Sequence, residues 1–133
     1  MKRSKLREEI FKLLFRVEFV PEAELAEQQI LFFEQSEEKI SQPEQKYIEE
    51  KFADIVQKLP EIDELINTRT TGWKTKRMNK VDLTILRLAV YEMKWDDEIP
   101  PKVAMNEAVE LAKKFSGEEG FSFVNGVLAN LFE

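Results

Sequence analysis

IPPKVAMNEAVELAKKFSGEEGFSFVNGVLANL, residues 99–131, decides the fold. Ala104, Ala108, Leu111, Ala112 and Phe115 recur at helical spacing and make one apolar stripe, while Glu110 stands four residues before Lys114 on the outer face. Ser116-Gly117 stops that helix, and Val124, Val127, Leu128 and Leu131 define the stripe of the next. Two amphipathic helices therefore flank an acidic, glycine-containing turn. Just upstream, past the connector DDEIPP, lies VDLTILRLAVYEMKW, residues 81–95, apolar on nearly every face. Such a helix belongs in the middle of a core.

The first half of the chain reads the same way. Leu6, Ile10, Leu13, Leu14 and Val17 form one stripe of a first helix, with Lys5, Glu9, Lys12 and Arg16 opposite and Ser4 as the expected cap. Phe19-Val20-Pro21 ends it, because the residue before proline is pushed out of the α region. A second helix is expected over 22–36, with Leu25, Ala26, Gln29, Phe32 and Phe33 on one face. Ser41-Gln42-Pro43 reads as a break and helix start, followed by Tyr47, Ile48, Phe52, Ile55, Val56 and Leu59. Pro60 is expected to interrupt this helix, with a further helical stretch over 62–70 before a Gly72-Trp73 turn. The prediction is an all-α chain of about seven helices, without internal repeats or low-complexity tracts.

Composition narrows the function. The 133 residues, 43% hydrophobic and 35% charged, suffice for one domain with its own core. Cysteine and histidine are both absent, which excludes disulfides, thiolate nucleophiles, imidazole bases and Cys/His zinc sites. Adjacent carboxylates such as Glu8/Glu9 and Asp96/Asp97 point about 100° apart on a helix and read as solvated surface, not an acid–base pair aimed into a cleft. Phosphate-loop, dinucleotide and nucleophile-elbow motifs are missing. No enzyme is expected. No apolar run approaches the ~20 residues that span a bilayer, and the N-terminus lacks a secretory apolar region, so a soluble cytoplasmic chain is expected.

The net charge of −6 conceals two basic islands. Residues 1–17 sum to +4 and residues 69–80 to +5, whereas 18–68 sum to −10 and 81–133 to −5. Concentrated positive charge in an acidic protein is what a local phosphate-binding patch requires. Lys2, Arg3, Lys5 and Arg7, near Lys12 and Arg16, form the first island; composition alone favours a solvated helix face over a phosphate site. In the second, Trp73 is interleaved with the cations, a pattern compatible with nucleic acid or with a simple linker. Phe121 and Phe123 edge the last stripe and either fill the core or offer a ring to an unstacked base. Asn125 and Gly126 are unfavourable inside a helix and call for close packing or room for a ligand.

The helix VDLTILRLAVYEM, the KVAMNEAVELAKKF helix, the FVNGVL motif and the basic start MKRSKLREEIFKLLF together resemble the bacterial transcription antitermination factor NusB family over essentially the whole chain. The resemblance implies two three-helix bundles around a central hydrophobic helix, forming a single RNA-binding domain with helical halves 1–70 and 81–133. It implies that Lys2, Arg3, Lys5, Arg7, Lys102 and Phe123 contact RNA, with Phe123 stacking on a base and Glu119 tuning affinity by repelling phosphate. Asp82 matches an acidic position that relatives use toward NusE, a small-subunit ribosomal protein. The implied partners are boxA RNA of nascent ribosomal transcripts, NusE, and the RNA polymerase antitermination complex with NusA and NusG. A homodimer burying the basic surface is a further implied state, and no cofactor or membrane is involved.

Four departures from the family pattern stand out. The N-terminus mixes lysine, serine and arginine, Pro101 replaces a tyrosine, and Gly120 and Ser122 stand where relatives have serine and lysine. Two other readings remain open: a helical protein-interaction module without RNA binding, and the RNA-binding domain attached to ribosomal RNA cytosine methyltransferases. The lack of a nucleotide-binding domain before Glu133 counts against the latter.

Overall fold

The computed structural model describes residues 1–70 and 72–132; Thr71, inside the second basic island, and Glu133, at which the expected chain end falls, lie outside the described residues. The described residues form six α-helices: α1 (Arg3–Phe15), α2 (Leu25–Gln35), α3 (Gln42–Arg69), α4 (Lys80–Trp95), α5 (Pro101–Phe115) and α6 (Glu118–Phe132). Short 3₁₀ turns follow α1, precede α2 and precede α4. The fold is all-α as expected, one helix short of the predicted count.

That difference lies at Pro60, which sits inside the 28-residue α3 instead of ending it. Proline removes one ladder hydrogen bond and crowds the carbonyl four residues back, a penalty of about 3 kcal/mol. Burial of Ile48, Phe52 and Ile55 before it, and of Ile62 and Ile66 after it, anchors both arms and outweighs that penalty. The chain packs as two compact units, Met1–Val56 and the residues from Gln57 onward, so α3 contributes to both.

In the first unit, α1 buries Ile10, Phe11, Leu13 and Leu14. Its N-cap is Lys2, without a side-chain cap, not Ser4. Glu9, expected on the solvent face, is buried and answered by Lys12 at 3.3 Å. Helix α2 starts only at Leu25, because 22–24 form a 3₁₀ turn, and it buries Leu25 and Phe32. A capping box opens α3: the Ser41 hydroxyl accepts from the Glu44 N–H at 3.3 Å, and Glu44 accepts from the Ser41 N–H at 2.9 Å.

In the second unit α4, α5 and α6 pack mutually. Helix α4 buries Leu83, Ile85, Leu86, Leu88, Ala89, Val90 and Tyr91, which makes it the core helix that its all-round hydrophobicity predicts. Arg87 ties it to α3 by a bidentate pair with Asp63 at 2.7 and 2.8 Å. Gly117, at φ +91°, ends α5 in the left-handed conformation with its N–H on the Ala112 carbonyl. Helix α6 then starts at once and runs back along α5.

Candidate nucleic-acid interface

The N-terminal island is built within the first unit. Lys2 and Arg3 are exposed and make no ion pair among the described residues. Lys5 bridges Glu8 at 2.8 Å and Glu38 at 3.0 Å, and these carboxylates hold its ammonium well above the ordinary lysine value. Lys12 lies against Glu8 and Glu9, while Arg16 reaches Gln28 and stacks over the Phe32 ring at 5.2 Å. Arg7 is only 3% exposed, so its guanidinium is part of the interior and not a free phosphate ligand. Helical phase explains this: Arg7 lies three and four residues before Ile10 and Phe11, on the buried face.

A second surface is assembled in the other unit, where the connector before α4 meets the start of α6. Gly72 turns the chain at φ +84°, and side chains of α3 and of the connector itself hold the residues after the turn in place. The Thr70 hydroxyl donates to the Trp73 carbonyl at 3.0 Å, Lys74 donates to the Asn67 carbonyl at 2.8 Å, and the Asn67 amide bridges the Thr75 N–H and hydroxyl. Trp73 is thereby held against Phe123, ring centroids 5.8 Å apart and planes at 87°. The two rings border a cavity of about 390 Å³ that Lys74, Arg77, Asp82, Ser116, Glu119 and Gly120 also line.

Asp82 stands in the first turn of α4, whose N-terminus Asn79 caps by accepting from the Val81 N–H at 2.8 Å. It is 7% exposed and accepts the Ser116 hydroxyl at 2.6 Å. A Cβ at Gly120 would lie 1.8 Å from Ser116 Oγ and 2.8 Å from Asp82 Oδ1, so any side chain there would force Ser116 to shift. Gly126, by contrast, has open space where its Cβ would point, which leaves room for a ligand and removes packing as its reason.

The fold thus brings Asp82, Glu119 and Phe123 to one cavity. Lys102 is elsewhere: it is exposed on the first turn of α5, over a separate groove of about 250 Å³ with Met105, Leu128 and Phe132. Because α5 and α6 run antiparallel and α5 spans roughly 22 Å, Lys102 and Phe123 occupy opposite ends of the pair. Composition leaves 69–80 readable as a simple linker, yet six of its residues line the Phe123 cavity. The alternation of Trp73 with cations is the sequence signal that points to more than a link.

The described residues form an all-helical protein in which two aromatic rings, two cations and two carboxylates surround one cavity. Among the described residues no group of Asp, Glu, His or Cys could hold a metal ion, and no helix is long and apolar enough to cross a membrane. The NusB family model matches residues 4–133. The transcription antitermination protein NusB of Agathobacter rectalis is 55% identical over 97% of this chain and 98% of its own. Among solved structures, Thermotoga maritima NusB superposes with a TM-score of 0.83 at 30% identity, covering 98% of this chain and 90% of that one. The chain in a crystal structure of antitermination factors NusB and NusE in complex with dsRNA matches with a TM-score of 0.82 at 26% identity, covering 99% and 98%. This chain belongs to the NusB family, whose members are transcription antitermination factors and not enzymes.

Proposed function

We propose that this chain acts in antitermination by binding boxA-type RNA of nascent ribosomal transcripts together with NusE. It works in the cytoplasm, within the RNA polymerase complex that includes NusA and NusG. The observation that carries the reading is the half-buried Phe123 ring on a cavity that Trp73, Lys74 and Arg77 line beside Asp82 and Glu119, in a chain that matches a NusB solved with NusE and dsRNA over nearly its whole length. Phe123 stacks on an unpaired base, Lys2, Arg3 and Lys102 neutralise phosphates, and Glu119 holds the backbone away from the α6 start by repulsion. Asp82, through its bond to Ser116, shapes the rim that receives NusE. A homodimer covering the basic residues is the resting form.

A second reading, a protein-interaction module without RNA binding, draws on the internal pairing of Lys5, Lys12 and Arg16. Fluorescence anisotropy separates the two. Labelled boxA-type and scrambled RNA are titrated with the chain, alone and with NusE, at two salt concentrations. Selective, salt-sensitive binding that NusE strengthens supports the RNA reading. Equal, weak binding of both RNAs in every setting supports the interaction module.

A further inference from the structure

We propose that the connector between α3 and α4 supplies a further part of the RNA site, with Trp73 a base-stacking residue beside Phe123 and Arg77 a phosphate contact. The inference rests on the RNA-binding reading above and extends it to a segment that composition leaves as a linker. Trp73 is 37% exposed although it packs on another ring, so a large aromatic surface is kept in water. Edge-to-face packing covers at most one face of either ring, so Trp73 keeps a π-face that Phe123 does not cover, which is what an unstacked base requires.

The position is prepared in advance. The Thr70 hydroxyl and the Asn67 amide hold Trp73 and Thr75 in place without a ligand, which lowers the ordering penalty on binding. Residues 69–80 contain five cations and no acid. Lys74 is engaged by the Asn67 carbonyl, whereas Arg77 is exposed on the cavity wall with its planar fork available to a phosphate. Asp82 and Glu119 lie among the cavity's lining residues. Their charge repels phosphate, so the backbone of a bound strand runs along the Arg77 side while its base reaches the rings.

The test uses the full chain carrying Trp95→Phe, in which Trp73 is the only tryptophan left of the two. Titration with single-stranded boxA-type RNA is expected to quench Trp73 fluorescence. Trp73→Leu is expected to weaken RNA binding by about 5- to 150-fold, with Trp73→Phe retaining most affinity. Arg77→Gln is expected to lower the slope of log affinity against log salt by about 0.7. Circular dichroism checks that each variant stays folded. RNA binding by the parent chain with no quenching, and with Trp73→Leu and Arg77→Gln both at parent affinity and salt slope, overturns the inference alone. Loss of NusE affinity at unchanged RNA affinity overturns it too and gives the surface to the protein partner. Failure of the parent chain to bind RNA with or without NusE sinks the RNA reading and this inference together.

Discussion

The Ser116 hydroxyl at the end of α5 donates a 2.6 Å hydrogen bond to Asp82 Oδ1 in the first turn of α4, and the backbone of Gly120 closes over it. The Ser116 hydroxyl occupies the space that a side chain at position 120 would need. Gly120→Ala would drive a methyl group into Ser116 Cβ at 2.4 Å as well as Oγ. The expected loss is about 1 to 3 kcal/mol in urea unfolding, the range for overpacking. The double variant Ser116→Gly/Gly120→Ala should recover part of it, and strictly additive losses would show that the two positions do not compete for one space.

Phe123 and Gly126 lie one turn apart on α6 and separate packing from binding. Phe123→Ala should weaken RNA affinity by about 1 to 3 kcal/mol while leaving the chain folded, since the ring packs on Trp73 at the surface. Gly126→Ala should raise stability by up to about 1 kcal/mol, because its Cβ meets nothing. A drop in RNA affinity for that more stable variant would show that the open space serves the ligand. Thermal unfolding and anisotropy on the same samples decide both points.

Helix phase made most of the fold readable. The stripes of α4, α5 and α6 and the Ser116-Gly117 stop all appear in the structure. Periodicity failed where tertiary packing overrode a local rule, at Pro60 inside α3 and at Glu9 on the buried face of α1. For the site, residue type was legible but partnership was not. Nothing in the local sequence says that Glu38 would reach Lys5 or that Trp73 would meet Phe123. Each depends on contacts far apart in the chain, which composition and spacing do not encode.

Burial of Arg7 and pairing of Lys5 shift the expected electrostatic footprint to the first residues. Lys2→Gln/Arg3→Gln should reduce the salt slope of RNA binding by up to about 1.4, two contacts on a single strand, with no change in melting temperature. Glu38→Gln should raise RNA affinity, because it releases Lys5 from a competing carboxylate. If Glu38→Gln leaves affinity and slope unaltered, Lys5 is no part of the interface.

Pro60 is exposed and sits inside α3 without an N–H to give. Pro60→Ala restores one ladder bond and relieves the clash with the preceding turn. An increase in unfolding free energy of about 1 to 3 kcal/mol is expected, read from the urea midpoint at unchanged slope. A decrease would mean that the fold depends on a bend at this position.

Glu44 gives the chain an acid-side dependence whose sign is set by its partners. The N-terminal ammonium first, then the Ser41 N–H and hydroxyl, hold its carboxyl down to about 2 from an ordinary 4.5. A carboxyl depressed in the folded state binds fewer protons there than in the unfolded chain, so it stabilises the fold above pH 4.5 and loses that contribution as pH falls toward 2. Exposure and salt screening keep the effect modest. Glu44→Gln should therefore melt below the parent chain at pH 6, with the gap narrowing below pH 4.5 and closing near pH 2. Raised salt should shrink the gap at pH 6. A gap independent of pH between 2 and 6 would assign Glu44 a capping role that does not depend on its charge.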